Sequence, residues 1–256
     1  ADEVGHPVRA QHPAVQPHHA DDRGRRDLPR EPLPRGQRLA EELRWAMAQG
    51  QMDIVFQPQV LMTERRIVGV EALARWTHPA RGRIAPDTFI GIAEECGLIE
   101  ELGELVLHRA CRQLATWKSH GIAPELMAVN VSSHQLRSGR LTDVVARAVT
   151  ASGIDWSDLE IEVTESLLAT GTGTALQQLQ AVRDAGATVA IDDFGTGYSS
   201  LAYLKRLPVD TLKIDRAFMA DLDEDGASLA VVRSIIALAK ALDKGLVAEG
   251  VESEVH

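Results

Sequence analysis

Polar, mostly acidic segments follow apolar runs at five places in the chain, and this pattern constrains the fold more than any other feature. The segments are EALARW at 71–76, VNVS at 129–132, IEVTES at 161–166, IDDFGTG at 191–197 and AEGVE at 248–252. Each lies where a β-strand would end and a loop would begin. Carboxylates at the ends of successive strands converge on one point when the strands are parallel and close into a barrel. We therefore expect a barrel with a metal site at its mouth.

The size and the order of the predicted elements fit one barrel domain. The chain has 256 residues, of which 45% are hydrophobic, which is enough for a single full core. An opening hairpin at 52–76 is followed by strand-like apolar runs that alternate with helical periodicity. Because these runs are continuously apolar rather than alternating, they indicate buried parallel β/α units. The predicted fold class is α/β, a TIM-like β/α barrel with an antiparallel first strand.

The first 36 residues differ in composition from the rest. They contain six of the eleven prolines, four of the nine histidines and few large apolar residues. Such a segment cannot bury enough surface to offset the entropy lost on ordering. We interpret 1–36 as a disordered or linker-like segment, with a cloning scar or an out-of-frame lead-in as the alternative, and assign 37–256 to the folded domain.

Charge and apolar patterning limit the class of partner. A formal net charge of −10 argues against binding to a nucleic-acid polymer, because duplex binders carry a basic face. An anionic substrate would need metal ions as intermediaries. The most apolar long stretch, 227–242, is interrupted by Arg233 and Lys240, so we expect no membrane segment in this chain. Two cysteines without CxxC spacing indicate a cytoplasmic protein, although the parent protein could be membrane-anchored through a missing upstream part.

Oxygen ligands dominate the predicted strand ends. The side chains at or just after the apolar cores are Glu71, Asn130, Glu162, Asp192 and Glu249. Hard oxygen ligands favour Mg²⁺ or Mn²⁺, whereas Zn²⁺ would more often bring His or Cys. Asp193 is positioned to bridge to a second cation, and Lys213 adds a positive side chain suited to such a site. For each acidic residue taken alone, the simpler interpretation is a solvent-exposed loop residue. Because polar ligands occur at five strand ends in succession, it is improbable that all of them are merely exposed loop residues.

Seven motifs agree in order, spacing and identity with one protein family. They are FQP at 56–58, EALARW at 71–76, Asn130 in VNVS, EVTE at 162–165, DDFGTGYSSL at 192–201, Lys213 with Asp215, and AEGVE at 248–252. On these motifs, the chain from about residue 40 to 256 resembles the EAL family of cyclic di-GMP phosphodiesterases. The resemblance implies hydrolysis of cyclic di-GMP to linear pGpG by water activated between two Mg²⁺ or Mn²⁺ ions.

The resemblance also implies roles for individual residues. The implied metal ligands are Glu71, Asn130, Glu162, Asp192, Asp193 and Glu249, and the implied catalytic residues are Glu71, Lys213 and Glu249. Gln57, Leu73 and Arg75 match positions that bind the substrate. Glu165 is similar to the glutamate that anchors the DFGTGYSS loop, and Glu252 is expected to neighbour the metal cluster.

Partners and completeness follow from the same resemblance. We expect a homodimer through the DFGTGYSS loop and the helix after it, and an upstream sensory or diguanylate-cyclase-type domain in the parent protein. Family members continue after AEGVE with a further β/α unit, so we expect an EAL-type domain that is incomplete at the C-terminus and a barrel that lacks its last unit. The alternative to catalysis is a non-catalytic cyclic di-GMP-binding or regulatory fragment.

Overall fold

In the computed structural model, residues 8–11, 35–165, 173–195, 204–220 and 226–251 are described. These ranges contain nine β-strands: β1 Val8–Gln11, β2 Met52–Leu61, β3 Arg66–His78, β4 Gly82–Ile84, β5 Leu126–Asn130, β6 Leu159–Thr164, β7 Thr188–Phe194, β8 Thr211–Ile214 and β9 Gly245–Ala248. They also contain eight α-helices: α1 Arg35–Ala48, α2 Pro86–Glu95, α3 Ile99–Ser119, α4 Ser133–Arg137, α5 Leu141–Ser152, α6 Gly173–Asp184, α7 Arg216–Ala220 and α8 Gly226–Ala241. The predicted alternation of helices and strands after an opening hairpin is therefore present.

The strand pairings form a ring. β2 and β3 pair antiparallel as the hairpin, and β3, β5, β6, β7, β8 and β9 then pair in parallel, each with the next. β1 pairs antiparallel with β2 and parallel with β9, so it joins the two ends of this series. Of the described strands, only β4 stands outside the ring, where it pairs with the end of β3. The predicted fold class, a TIM-like barrel with an antiparallel first strand, is confirmed.

β1 comes from the segment whose composition predicts a linker. Arg9 lies opposite Leu61 of β2 on one side and opposite Val247 of β9 on the other. A strand with neighbours on both sides is stabilised by backbone hydrogen bonds, which depend little on side-chain type. A composition argument counts only side-chain burial, so it cannot detect such a strand. Residues 1–7 and 12–34 lie outside the described ranges, and the boundary at residue 36 stays a prediction.

Apolar side chains fill the space between the barrel and its helices. One large buried cluster includes Ile161, Val189 and Leu212 on the strands, and a smaller one packs Leu43, Trp76 and Phe89 beneath α1 and α2. No helix within the described ranges combines the length and the apolar character that crossing a bilayer requires.

The barrel interior is polar as well as apolar. Glu160 is buried, and its Oε2 accepts hydrogen bonds from Thr211 Oγ1 at 2.9 Å and Thr188 Oγ1 at 3.4 Å. Side chains two residues apart on a strand share a face, so Glu162 and Lys213 face the same interior one layer nearer the carboxyl ends of the strands. The strand period therefore places the predicted acidic residues at the mouth of the barrel.

Ring closure by β1 generates a stability prediction. Ala10→Pro removes a backbone N–H from a strand that is paired on both sides, which should cost about 1–3 kcal/mol and lower the Tm by roughly 5 °C. Ala10→Val keeps the N–H and is the matched control. Thermal unfolding followed by circular dichroism compares the two. Equal Tm values for both variants would contradict the role of β1 in closing the ring.

Candidate active site

A single buried lysine lies at the centre of the carboxylates at the barrel mouth. Lys213 Nζ is 2.8 Å from Glu162 Oε2, 2.9 Å from Glu249 Oε1, 3.0 Å from Asp192 Oδ1 and 3.3 Å from Glu71 Oε2. Lys213 itself is fully buried. These four carboxylates come from β3, β6, β7 and the residue after β9, so one ammonium group connects strands on all sides of the barrel. We refer to Lys213, Glu71, Glu162, Asp192 and Glu249 as the mouth cluster.

The protonated form of Lys213 is strongly favoured. Burial opposes the charge, but attraction by Glu162, Glu71, Asp192 and Glu249 outweighs it and holds the pKa of Lys213 well above its usual range. A charged lysine in a desolvated site is stable only when opposite charges contact it directly. The lysine is therefore bound into the cluster as a structural counter-ion.

One ammonium cannot neutralise four carboxylates, and burial together with the excess negative charge raises the pKa of two of them, Glu162 and Glu249. Burial, then repulsion by Glu71, raises the pKa of Glu162 well above its usual range. Burial, with repulsion by Asp192, raises the pKa of Glu249 to about 7. Nearby cations favour the ionised form of a carboxylate, so bound divalent ions would reverse these shifts.

The donor set fits divalent metal ions. Oxygen atoms of Glu71, Glu162 and Asp192 lie within 4.8 Å of one another, and so do oxygen atoms of Asp192, Asp193 and Glu249. The two groups share Asp192, which is the arrangement expected of a carboxylate that bridges two ions. Glu162 Oε1 is buried and has no hydrogen-bond partner among the described residues, which leaves a desolvated carboxyl oxygen that a bound cation would satisfy.

Asn130 lies beside this donor set at the end of β5. Its Nδ2 donates a hydrogen bond to Glu71 Oε1 at 2.6 Å, and its backbone is in register with Glu162 on β6. The amide group is therefore oriented by Glu71, and its oxygen adds one more hard ligand type to the site.

A local irregularity in β7 brings two consecutive carboxylates to the same cluster. In a regular strand, Asp192 and Asp193 would face opposite sides of the sheet. Asp193 instead has a φ of 54°, and the register between β7 and β8 shifts between Ile191 and Phe194. Aspartate tolerates this left-handed conformation better than most residues. The bulge therefore allows both carboxylates to contribute to one group.

Asp193 is also influenced by a residue that sequence reasoning did not assign to the site. Burial, then a hydrogen bond with Asp215, raises the pKa of Asp193 to about 6. Asp215 follows β8, two residues after Lys213, and its Oδ1 accepts a hydrogen bond from Ala217 N at 2.6 Å. The sequence did contain a signal for Asp215, because this residue directly follows a strand, as the other acidic site residues end or follow theirs.

The first residue after β7, Gly195, is hydrogen-bonded to Glu165 just after the end of β6. Gly195 N donates a hydrogen bond to Glu165 Oε2 at 2.9 Å, which is the contact expected of a glutamate that anchors this loop. Residues 196–203, which contain most of the DFGTGYSS segment, and Glu252 lie outside the described residues.

The three predicted substrate-binding residues lie along the hairpin. Gln57 on β2 is directly opposite Glu71 on β3. Leu73 and Arg75 follow Glu71 at two-residue intervals, so all three share one face of β3. The structure thus separates Arg75 from the mouth cluster and places it further along the strand, where it lines a cavity.

Comparison with known proteins gives one consistent family. A family model described as "EAL domain" matches residues 40–255. The chain is 44% identical over 218 residues to the "Bifunctional diguanylate cyclase/cyclic di-GMP phosphodiesterase MucR" of Pseudomonas aeruginosa, covering 85% of this chain and 32% of that protein. It is 41% identical over 215 residues to the "Cyclic di-GMP phosphodiesterase NbdA" of the same species, covering 84% of this chain and 28% of that protein. The chain thus spans about a third or less of the length of these curated relatives.

Solved structures give the same result. The structure described as "PaMucR Phosphodiesterase, c-di-GMP complex" is 44% identical, has a TM-score of 0.81, and the match covers 85% of this chain and 88% of that one. The "EAL Enzyme Bd1971" in its cAMP- and cyclic-di-GMP-bound form is 30% identical with a TM-score of 0.80, over 86% of this chain and 60% of that one.

The central position of Lys213 predicts a metal-dependent stability defect. Lys213→Met should leave the buried carboxylates without their counter-ion and cost about 3–5 kcal/mol, which lowers the Tm by roughly 10 °C in the presence of EDTA. Excess Mg²⁺ should restore part of the loss, because a divalent cation can take over the neutralising role. Lys205→Met, at an exposed position, changes the net charge equally and is the control. A Tm for Lys213→Met within about 2 °C of wild type in EDTA would show that the ammonium does not hold the cluster together.

Proposed function

Because the chain belongs to the EAL domain family, we propose that it hydrolyses cyclic di-GMP to linear pGpG with two bound Mg²⁺ or Mn²⁺ ions. The observation that carries the proposal is the pair of carboxylate groups that share Asp192 at the mouth of the barrel. A cyclic dinucleotide is a dianion, and a strongly acidic mouth would repel it without cations. The same acidity makes the mouth a binding site for divalent cations, so substrate binding and metal binding are linked.

The residues divide between two ions. Glu71, Asn130, Glu162 and Asp192 would hold one, and Asp192, Asp193 and Glu249 would hold the other. When bound, the ions supply Lewis acidity to the phosphoryl oxygens and lower the pKa of the attacking water. Lys213 Nζ holds one oxygen of each of four carboxylates and so fixes their orientation. Positioned donors of this kind lower the cost of reorganisation during the reaction.

The hairpin would receive the rest of the substrate. Gln57 is paired with Glu71 across the β2–β3 ladder, so a group bound at Gln57 lies next to the reacting centre. Leu73 continues along the same face. This arrangement provides an extended binding surface, which orients a phosphodiester for in-line attack.

Assembly and context complete the proposal. We retain a homodimer formed through the DFGTGYSS loop and the helix after it, although that loop lies mostly outside the described residues. The curated relatives are several times longer than the matched region, which supports an upstream sensory or diguanylate-cyclase-type domain in the parent protein. We also retain a domain from residue 37 to 256 and a cytoplasmic site of action.

Substitution of Glu71 tests the hydrolytic function. Glu71→Gln removes a negative ligand with little change in shape and should lower kcat for cyclic di-GMP by at least about 100-fold, since loss of a metal ligand removes several kcal/mol of transition-state stabilisation. Glu125→Gln is the matched control, because Glu125 is exposed and precedes β5 at the opposite end of the barrel. Formation of pGpG is followed by chromatography. Normal turnover by Glu71→Gln would refute the role of Glu71 as a metal ligand. If the wild type binds cyclic di-GMP without hydrolysing it, the alternative of a non-catalytic cyclic di-GMP-binding fragment is favoured.

Metal removal provides an independent measurement. EDTA treatment should abolish hydrolysis and lower the Tm, and Mg²⁺ or Mn²⁺ at about 100 times its Kd should restore activity and stabilise the fold by about 2.7 kcal/mol. Differential scanning calorimetry measures the stabilisation without any need for turnover. Asp192→Asn should lose this response to metal, because Asp192 belongs to both carboxylate groups. Full activity after exhaustive chelation would contradict the metal-dependent mechanism.

A further inference from the structure

A cavity beside the hairpin contains two arginines. Arg75, Trp76, Arg83, Ile84, Ala85 and Pro86 line an open pocket with a volume of about 290 Å³. Its size approaches the lower end of the range for small-ligand pockets, roughly 300 Å³. Arg75 belongs to the EALARW motif, but Arg83 belongs to none of the motifs on which the family resemblance depends.

The strand register places the two guanidinium groups on one side of the sheet. Thr77 on β3 is directly opposite Arg83 on β4. Arg75 is two residues before Thr77 and therefore shares its face, which makes Arg75 and Arg83 diagonal neighbours within reach of long side chains. Arg75 is half-buried and Arg83 is exposed.

Among the described residues, no carboxylate contacts either of these arginines directly. Arg75 Nη1 donates a hydrogen bond to Ala74 O at 2.8 Å, and neither arginine forms an ion pair with any described residue. Burial, then repulsion by Arg83, lowers the pKa of Arg75, and attraction by the more distant Glu71 only partly opposes this. Like charges placed together without a counter-ion destabilise the free protein, and an anion bound between them would remove the repulsion.

The cavity lies in line with the metal site. Arg75 is four residues after Glu71 on the same face of β3, which corresponds to about 13 Å between Cα atoms. A ligand held by metals at Glu71 would thus extend along Leu73 towards the two arginines. The chain is acidic overall, with a net charge of −10, so two neighbouring arginines without an ion-pair partner among the described residues contrast with the charge of the chain as a whole.

We propose that Arg83 is a substrate-binding residue that, together with Arg75, binds the phosphate group of the cyclic dinucleotide that is not being cleaved. The inference rests on the proposed function for the identity of the ligand. It assigns the scissile phosphate to the metal end of β3 and the second phosphate to the arginine end. Arg83 thereby sets affinity for a substrate with two anionic groups over a simple phosphodiester with one.

Binding and turnover measured separately test the inference. Arg83→Glu should weaken cyclic di-GMP binding, measured by isothermal titration calorimetry with Mg²⁺, by about 10- to 100-fold, the loss expected for a charge-assisted contact. Arg83→Lys should recover most of the affinity. In steady-state kinetics, Arg83→Glu should raise KM for cyclic di-GMP much more than it lowers kcat. Bis(p-nitrophenyl) phosphate has only one phosphate, so its kcat/KM should change little. The ratio of kcat/KM for cyclic di-GMP to kcat/KM for bis(p-nitrophenyl) phosphate should therefore drop by about the same factor as the affinity.

A matched variant controls for net charge. Arg112→Glu reverses an exposed arginine on the outer surface of α3 and should change the affinity less than twofold. Equal affinities for Arg83→Glu and wild type would overturn the role of Arg83, even if both hydrolyse the substrate. If the wild type binds cyclic di-GMP without hydrolysing it, and Arg83→Glu binds it more weakly, the role of Arg83 is supported and the proposed hydrolysis is refuted. Absence of cyclic di-GMP binding by the wild type would overturn both.

Discussion

The contact between Lys213 and four carboxylates is the interaction on which the mouth of the barrel depends. Bringing Glu71, Glu162, Asp192 and Glu249 within reach of one point is unfavourable, since each buried charge loses hydration and repels the others. The ammonium offsets part of this cost and connects strands that are distant in sequence. It leaves an excess of negative charge, and that excess would favour the binding of divalent cations. The same cluster therefore links strand contacts to the proposed metal site, and mutation of Lys213 alone would affect both.

Two-residue periodicity explains why this arrangement was visible in the sequence. An inward position at the end of a parallel strand is always near its counterparts on neighbouring strands, so Glu71, Asn130 and Glu162 could be grouped from their places in apolar runs alone. The fold class followed from a different pattern, the alternation of continuously apolar strands with helices. Position on the strand, however, gives no contact distances. That Lys213 is the central counter-ion, rather than a side chain at the rim, depends on the length of its side chain and the closure of the ring.

Features that depend on backbone conformation were not predictable in this way. The left-handed conformation of Asp193 reverses the strand period at one residue, and the sequence DD is equally compatible with a regular strand. Arg83 gave no signal, because its relation to Arg75 depends on the pairing of the short strand β4 with β3. β1 was missed because a composition criterion weighs side chains, whereas this strand is paired through its backbone. In each case the missing information is a pairing between segments, which no local pattern contains.

Ring closure and site geometry are coupled through β9. β1 pairs with β9 in parallel, with Ala10 opposite Ala248, and the next residue, Glu249, contacts Lys213. Without a neighbour on that side, β9 would be an edge strand whose end is held only by β8, and strand ends at an edge fray most readily. Displacement of Glu249 by even about 1 Å would weaken a contact to Lys213 and alter the carboxylate group that Glu249 forms with Asp192 and Asp193. A strand bound at the edge of β9 therefore acts through the backbone on the carboxylate group of Asp192, Asp193 and Glu249, without any side chain entering the site.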